Sequence, residues 1–137
     1  MNVNQDYNAI WQFDKEKETN VKSARSISSV NTFIFENDSL IINLPSMSSY
    51  VGLPDDDIYR IRTKWKGNEL YIFPPLGDKW ELFATWENNQ FVMYGGGKVK
   101  LFKKIKPEEI VVWQQNLLKP GREMWRYSYI NPNDVEI

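Results

Sequence analysis

The sequence contains no cysteine and no histidine among its 137 residues. These absences exclude a Ser-His-Asp triad, a Cys-His dyad, thiol redox chemistry and any zinc or iron site held by imidazole or thiolate. Acid–base catalysis near neutral pH would have to use a carboxylate, lysine or tyrosine with a shifted pKa, and no such constellation is recognisable. The triplet Asp55-Asp56-Asp57 lacks the alternating spacing of a calcium loop, so we interpret it as solvated. We expect a protein that is not an enzyme and holds no metal or cofactor.

Long apolar runs are also missing, since no stretch approaches the roughly 18 apolar residues of a membrane span. The N-terminal residues MNVNQDYNAIWQF have neither the basic start nor the apolar core of a signal peptide. A formal net charge of −1 provides no overall field that would attract nucleic acid. These absences predict a soluble, cytoplasmic protein with no membrane span and no nucleic-acid partner.

Aromatic residues are abundant, at 15% of the chain, and they favour β-strands. Short apolar runs are separated by turn signals at Asn37-Asp38, Gly67-Asn68 and Asn88-Asn89, which is typical of antiparallel hairpins. Within the run from Tyr59 to Trp65, apolar residues alternate with arginine and lysine, so one face of that strand is apolar. The length suits one domain, and we treat residues 1–137 as a single unit.

One segment departs from the strand pattern. Residues 107–121 predict a helix, because a proline and two glutamates suit its first turn and Pro120-Gly121 ends it. Residues 122–130 predict a last strand, which can pair with the first strand, predicted at Tyr7–Phe13. The fold class that follows is all-β and mainly antiparallel, an up-and-down β-barrel of about 8–9 strands with one C-terminal helix before the last strand.

This order of elements, with a tryptophan near the start, resembles a lipocalin-like (calycin) barrel. Ala9, Ile10 and Trp11 lie where members of that family have a Gly-x-Trp motif, with alanine here in place of the glycine. The family also has a basic residue near the last strand that packs across the tryptophan, which implies Arg122 or Arg126. The resemblance covers nearly the whole chain as element order, and it implies a cup that holds a small apolar molecule.

The segment YGGGKVKLFKKI, from Tyr94 to Ile105, has several interpretations. Glycines before Lys98 are typical of phosphate loops, but such a loop needs a helix after it and this one leads into a strand. Lysines around Phe102 could follow nucleic acid, yet the balanced net charge favours a solvated outer strand face. We therefore predict a permissive hairpin turn at one rim of the barrel, where a ligand would enter.

The six tryptophans either fill the barrel or line a pocket for a flat apolar ligand. Our first hypothesis is a non-catalytic binding protein that holds a small hydrophobic ligand inside the barrel. The residues predicted to bind it are Tyr59, Trp65, Trp80, Trp86 and Phe91.

The alternative hypothesis is a protein-interaction or structural module with a solid core and no ligand cavity. It would meet a protein partner, or a second copy of itself, through an exposed aromatic face. Phe83, Tyr71 and Phe73 are the candidates for that face. The sequence leaves these two hypotheses open, and it does not identify the ligand.

Overall fold

The computed structural model describes residues 7–43, 58–74, 77–109 and 131–137. In this part of the chain, eight strands form a closed barrel in which each strand pairs antiparallel with the next and the last pairs with the first. The strands are β1 (Ala9–Glu18), β2 (Thr32–Glu36), β3 (Ser39–Asn43), β4 (Ile58–Lys66), β5 (Glu69–Phe73), β6 (Glu81–Glu87), β7 (Gln90–Gly95) and β8 (Lys98–Ile105). The predicted antiparallel, up-and-down barrel is confirmed.

The predicted C-terminal helix is not confirmed. Its first residues form a 3-10 turn at Pro107–Glu109, and a second 3-10 turn spans Pro132–Asp134. The rest of that helix and the strand expected at 122–130 lie outside the described residues. The described part of the chain contains no α-helix and therefore none that could cross a membrane.

The barrel closes differently from the prediction, because β8 and not a later strand pairs with β1. The first strand is also longer than Tyr7–Phe13, since it continues to Glu18. Alternating acids and lysines explain both differences. Glu16 and Glu18 of β1 lie opposite Lys100 and Lys98 of β8, and the Lys98 ammonium is 3.4 Å from the Glu16 carboxylate. The charged residues 14–18 thus belong to β1, and acids among them face lysines of β8.

The predicted hairpin turns at 37–38, 67–68 and 88–89 are all confirmed. Asn37, Asp38, Asn88 and Asn89 have φ between 49° and 60°, the left-handed geometry that type I′ hairpin turns require at both central residues. Asparagine and aspartate tolerate this geometry better than other residues with a side chain. These turns fix the register of the strands and hence which side chains point inward.

Large apolar side chains fill the inside of the barrel, and Trp11, Phe33, Phe35, Leu40, Phe91 and Phe102 are all at most 1% exposed. Strand β6 interrupts the alternation of faces. Leu70 of β5 lies opposite Ala84, while the next residue, Tyr71, lies opposite Leu82, so Phe83 is an extra residue in a β-bulge. The bulge lets Phe83 join the core beside Ala84.

Candidate functional site

The centre of the barrel is a cluster of aromatic rings around Phe91, which is itself fully buried. Ring centroids lie 4.9 Å away for Trp86, 5.0 Å for Trp11 and 5.5 Å for Phe33. The ring centroids of Phe35 and Trp65 lie 6.0 Å and 6.1 Å from that of Phe91. Rings at these separations are in van der Waals contact. The space around Phe91 is therefore occupied by the protein's own side chains.

Three of the five predicted ligand-binding residues, Trp65, Trp86 and Phe91, come together in this cluster. Tyr59 is fully buried in the same core but lies at the opposite end of β4 from Trp65. They are six positions apart along the strand, which corresponds to about 20 Å. Trp65 has one unusual feature, because its indole N–H is buried and has no hydrogen-bond partner.

Trp80 is the exception among the predicted residues, since it lies outside the core cluster. In a regular strand Trp80, Leu82, Ala84 and Trp86 would share one face, but the bulge at Phe83 breaks that alternation. The Trp80 ring packs edge-on against Phe73 at 5.4 Å, beneath the Lys64 ammonium at 5.3 Å. Its indole N–H donates to the backbone oxygens of Pro132 and Val135 at 2.9 Å and 2.8 Å. Trp80 thus anchors residues 131–137 on the outer surface.

Tyr7 covers one end of the barrel. Its ring contacts Trp65 at 5.1 Å, Phe35 at 5.2 Å and Trp86 at 5.6 Å, and its backbone oxygen accepts a 2.9 Å hydrogen bond from the Trp11 indole. At the same end the Lys104 ammonium lies 5.7 Å from the centre of the Trp11 ring. Arg122 and Arg126, which the family resemblance implied as the basic partner of Trp11, lie outside the described residues.

The strap, which we define as residues 19–31 between β1 and β2, covers the other end. Its Val30 side chain is buried in the core, and Gly96 donates a 3.0 Å hydrogen bond to the Arg25 carbonyl. Gly95 lies directly beneath the strap, because a Cβ added there would be 2.5 Å from the Ser26 carbonyl. The rim at which a ligand entrance was predicted is therefore closed by the strap.

The three consecutive glycines have two different roles. Gly96 and Gly97 form the β7–β8 turn with φ of 58° and 77°, so the predicted permissive hairpin turn is confirmed. Gly95 is instead required for the close approach of the strap backbone.

The lysines that follow were predicted to form an outer strand face, and for Lys100 this prediction is wrong. Lys100 is 4% exposed and shares the inner face of β8 with Phe102. Its ammonium donates to the backbone oxygens of Ser28, at 3.0 Å, and Val30. Burial lowers the pKa of Lys100, and the nearby Glu16 carboxylate opposes this shift. Lys100 thus holds the strap across the end of the barrel.

A partly enclosed cleft of about 250 Å³ lies beside the strap, between β6 and β7. It exists because the two strands separate, and the last pair in their register is Thr85 with Val92. The walls of the cleft are residues 82–85 of β6 and 92–94 of β7. Strap residues 21–23 and 25 line it as well, together with Asn68 and Glu69. The guanidinium of Arg25 donates to the backbone oxygens of Leu82 and Phe83, and so ties the strap to β6.

Tyr94, at the edge of this cleft, donates its hydroxyl hydrogen to the Glu87 carboxylate, with oxygen separations of 2.8 Å and 2.9 Å. Burial and this hydrogen bond raise the pKa of Tyr94 to about 12. Tyr71, on β5, also has a raised pKa, because burial and the Glu69 carboxylate disfavour its phenolate. Both phenols are therefore neutral hydrogen-bonding groups at physiological pH.

A second, more open groove of about 400 Å³ lies on the outer face of β4 beside the β2–β3 turn. Arg60 lines it and is already committed, since its guanidinium contacts Glu36 at 3.1 Å and Ser39 Oγ at 2.7 Å. The described residues bring no three carboxylate, thiol or imidazole groups together as a metal ion would require. The triplet at 55–57 lies outside those residues.

The prediction that Phe83, Tyr71 and Phe73 form an exposed aromatic face is wrong. Phe83 is 6% exposed and belongs to the core, and Phe73 is 3% exposed beneath Trp80. Tyr71 is half-buried, and its hydroxyl lies 3.3 Å from the Glu69 carboxylate. The bulge and the docking of residues 131–137 cover the rings that sequence alternation left outside.

Comparison of the chain with protein-family models, with curated proteins and with solved structures found no match.

Proposed function

We propose that this protein is a non-catalytic binding module with a solid barrel that binds its partner molecule on the outside, in the cleft between β6 and β7. The observation that carries this proposal is the packing around Phe91, where contacting rings occupy the space that an internal ligand would need. Tyr7 at one end and the strap at the other add to the enclosure. A ligand inside would have to displace side chains that form the core.

The cleft is a better binding site than the barrel interior, because it is already an open cavity. A volume of about 250 Å³ is larger than the roughly 150 Å³ cavity that accommodates benzene. Its walls combine apolar side chains, such as Val92 and Leu82, with backbone polar groups and charged residues of the strap. This combination of apolar surface and a few convergent polar groups is typical of small-ligand sites.

We also propose that the barrel is a member of the lipocalin-like (calycin) family that its sequence resembles. The support is the closed eight-stranded architecture, together with a cation over the first-strand tryptophan. In this protein the cation is Lys104, on the strand that closes the barrel. Because folds of this kind serve many purposes, the resemblance supports the architecture more strongly than it supports any ligand.

A small apolar ligand inside the barrel is the second candidate, and the Trp65 indole favours it. A buried N–H without an acceptor costs about 1–3 kcal/mol, and a ligand oxygen near Trp65 would remove that cost. This candidate requires the rings around Phe91 to move apart.

Amide chemical-shift mapping with a library of small polar and apolar fragments distinguishes the two sites. We expect saturable shifts at Thr85, Val92 and Tyr94 at the cleft, with the amides of Trp65 and Phe91 unchanged. Saturable shifts at Trp65 and Phe91 would contradict the proposal and support an internal ligand. A library without any hit at the cleft would also contradict it.

A further inference from the structure

The separation of β6 and β7 leaves one edge of β7 facing the cleft. In two-residue hairpins the residues flanking the turn form a hydrogen-bonded pair, and hydrogen-bonded and non-hydrogen-bonded pairs then alternate along the strands. Gln90 flanks the β6–β7 turn and Gly95 flanks the β7–β8 turn. Counting from Gln90 and counting from Gly95 lead to the same orientation for Tyr94. Its backbone N–H and C=O point away from β8 and towards β6.

Tyr94 has no partner in the β6–β7 register, which ends at Val92 in the described part of the chain. Continuation of the register would put Phe83 opposite Tyr94, but the Phe83 oxygen instead lies 3.4 Å from Arg25 Nη2. The Tyr94 N–H and C=O therefore border the cleft as a donor and an acceptor. An extended backbone placed beside them would form the pair of hydrogen bonds that β6 does not supply.

The charges around the cleft are distributed unevenly. Lys22, which is exposed, and Arg25 lie on the strap side, whereas Glu69 is the one carboxylate among the lining residues. A ligand with a carboxylate would be attracted towards the strap. Between the charged residues, Val21 and Leu82 supply apolar surface, and Val21 is one of the most exposed large hydrophobic residues in the described part of the chain.

We propose that the cleft binds a short extended peptide unit with a free carboxylate and an apolar last side chain, as in a dipeptide or peptide C-terminus. The peptide backbone pairs with Tyr94, the carboxylate lies near Lys22, and the apolar side chain packs against Val21 and Leu82. A peptide of two residues suits a cleft of this size. Its extended backbone spans about 7 Å, and the cleft volume of about 250 Å³ is below the roughly 300 Å³ at which drug-sized sites begin. This inference rests on the proposed function, because it names the ligand of the same cleft.

The probe for this proposal is acetyl-Ala-Leu, compared with the same compound carrying a C-terminal amide. Titration followed by amide chemical shifts should show saturable changes centred on Tyr94 and Val92. We expect the C-terminal amide to bind roughly three- to fivefold more weakly, as removal of a partly exposed charge interaction would give. Lys22→Ala should weaken the binding of acetyl-Ala-Leu by the same factor and leave the affinity of the C-terminal amide unchanged.

Two further variants complete the experiment. Thr85→Trp would fill the cleft and should abolish binding, while its amide spectrum reports whether the barrel is still folded. Lys103→Ala is the matched control for Lys22→Ala, because Lys103 is an exposed lysine on β8 that does not line the cleft. It should bind like the wild type.

The peptide proposal would be overturned if the acid and the amide bind equally, if Lys103→Ala matches Lys22→Ala, or if acetyl-Ala-Leu causes no saturable shift. If other fragments still bind at Thr85 and Val92, the cleft remains the binding site and only the ligand class is wrong. If no compound binds there, the proposed function fails as well.

Discussion

The backbone of Ser26 lies so close to Gly95 that a single added methyl group would be 2.5 Å from the Ser26 carbonyl carbon and oxygen. This approach brings the strap onto the inner face of β7. The hydrogen bond from Gly96 to Arg25 and the bonds from Lys100 to Ser28 and Val30 hold the strap there. The strap therefore forms part of the barrel end and also lines the cleft.

Gly95→Ala should destabilise the protein by about 1–3 kcal/mol or more, because the new methyl group meets backbone atoms that cannot rotate away. Gly97→Ala is the control, since nothing lies within 4 Å of its added Cβ and only the positive φ of 77° is unfavourable. We expect that variant to lose about 1 kcal/mol. Urea unfolding measures both values. Equal losses would contradict the close approach of the strap.

Lys100→Met should loosen the strap, because the carbonyls of Ser28 and Val30 lose their donor. Each unpaired buried carbonyl costs about 1–3 kcal/mol. Lys103→Met, on the exposed outer face of the same strand, should change stability little. Hydrogen exchange of the amides at 25–30 should accelerate only in the Lys100 variant. Unchanged protection there would show that Lys100 does not hold the strap.

The pH dependence of stability offers an independent test of Lys100. Its pKa is lowered from 10.5, chiefly because its ammonium is buried. Between that lowered value and 10.5 the unfolded chain keeps a proton that the folded chain has released, so stability should rise with pH. Lys100→Met should remove this rise when unfolding free energies are compared across the alkaline range. A rise of the same size in the variant would assign it to another group.

Tyr94 should be the late tyrosine in a tyrosinate absorbance titration, with a pKa of about 12. Because the unfolded phenol ionises near 10, stability should fall as pH rises from 10 to about 12. Glu87→Gln should move this step towards lower pH, since burial would remain but the carboxylate would not. Glu108→Gln, at an exposed site in the first 3-10 turn, should leave it unchanged. A late step that persists in Tyr94→Phe would contradict the assignment.

Local sequence patterns were sufficient to predict most of the barrel. Asparagine and glycine pairs identified the two-residue turns, and alternation from Tyr59 to Trp65 identified the inner face of β4. These signals are reliable because turn geometry and strand period depend on neighbouring residues alone.

The remaining features depend on residues that are distant in sequence. No residue near Phe83 in the sequence indicates the bulge. Because of it, Phe83 lies in the core and Trp80 lies outside the core cluster, the reverse of what was expected. Lys100 resembles its neighbouring lysines, and its burial follows only from the strap carbonyls, about seventy residues earlier, that satisfy its ammonium. The cleft was missed for the same reason, since it arises where two strands fail to pair.

The filled interior of the barrel predicts that the unmodified protein accepts no apolar ligand there. We propose titrating the wild type and Phe91→Ala with indole and with a fluorescent fatty acid, and following core methyl shifts and tryptophan fluorescence. The variant should lose about 3–5 kcal/mol of stability and gain an indole-binding cavity, because removal of this ring opens the centre of the cluster. The wild type should show no saturable change in its core methyl shifts with either compound. Saturable binding by the wild type, with shifts around Trp65 and Phe91, would contradict the filled interior.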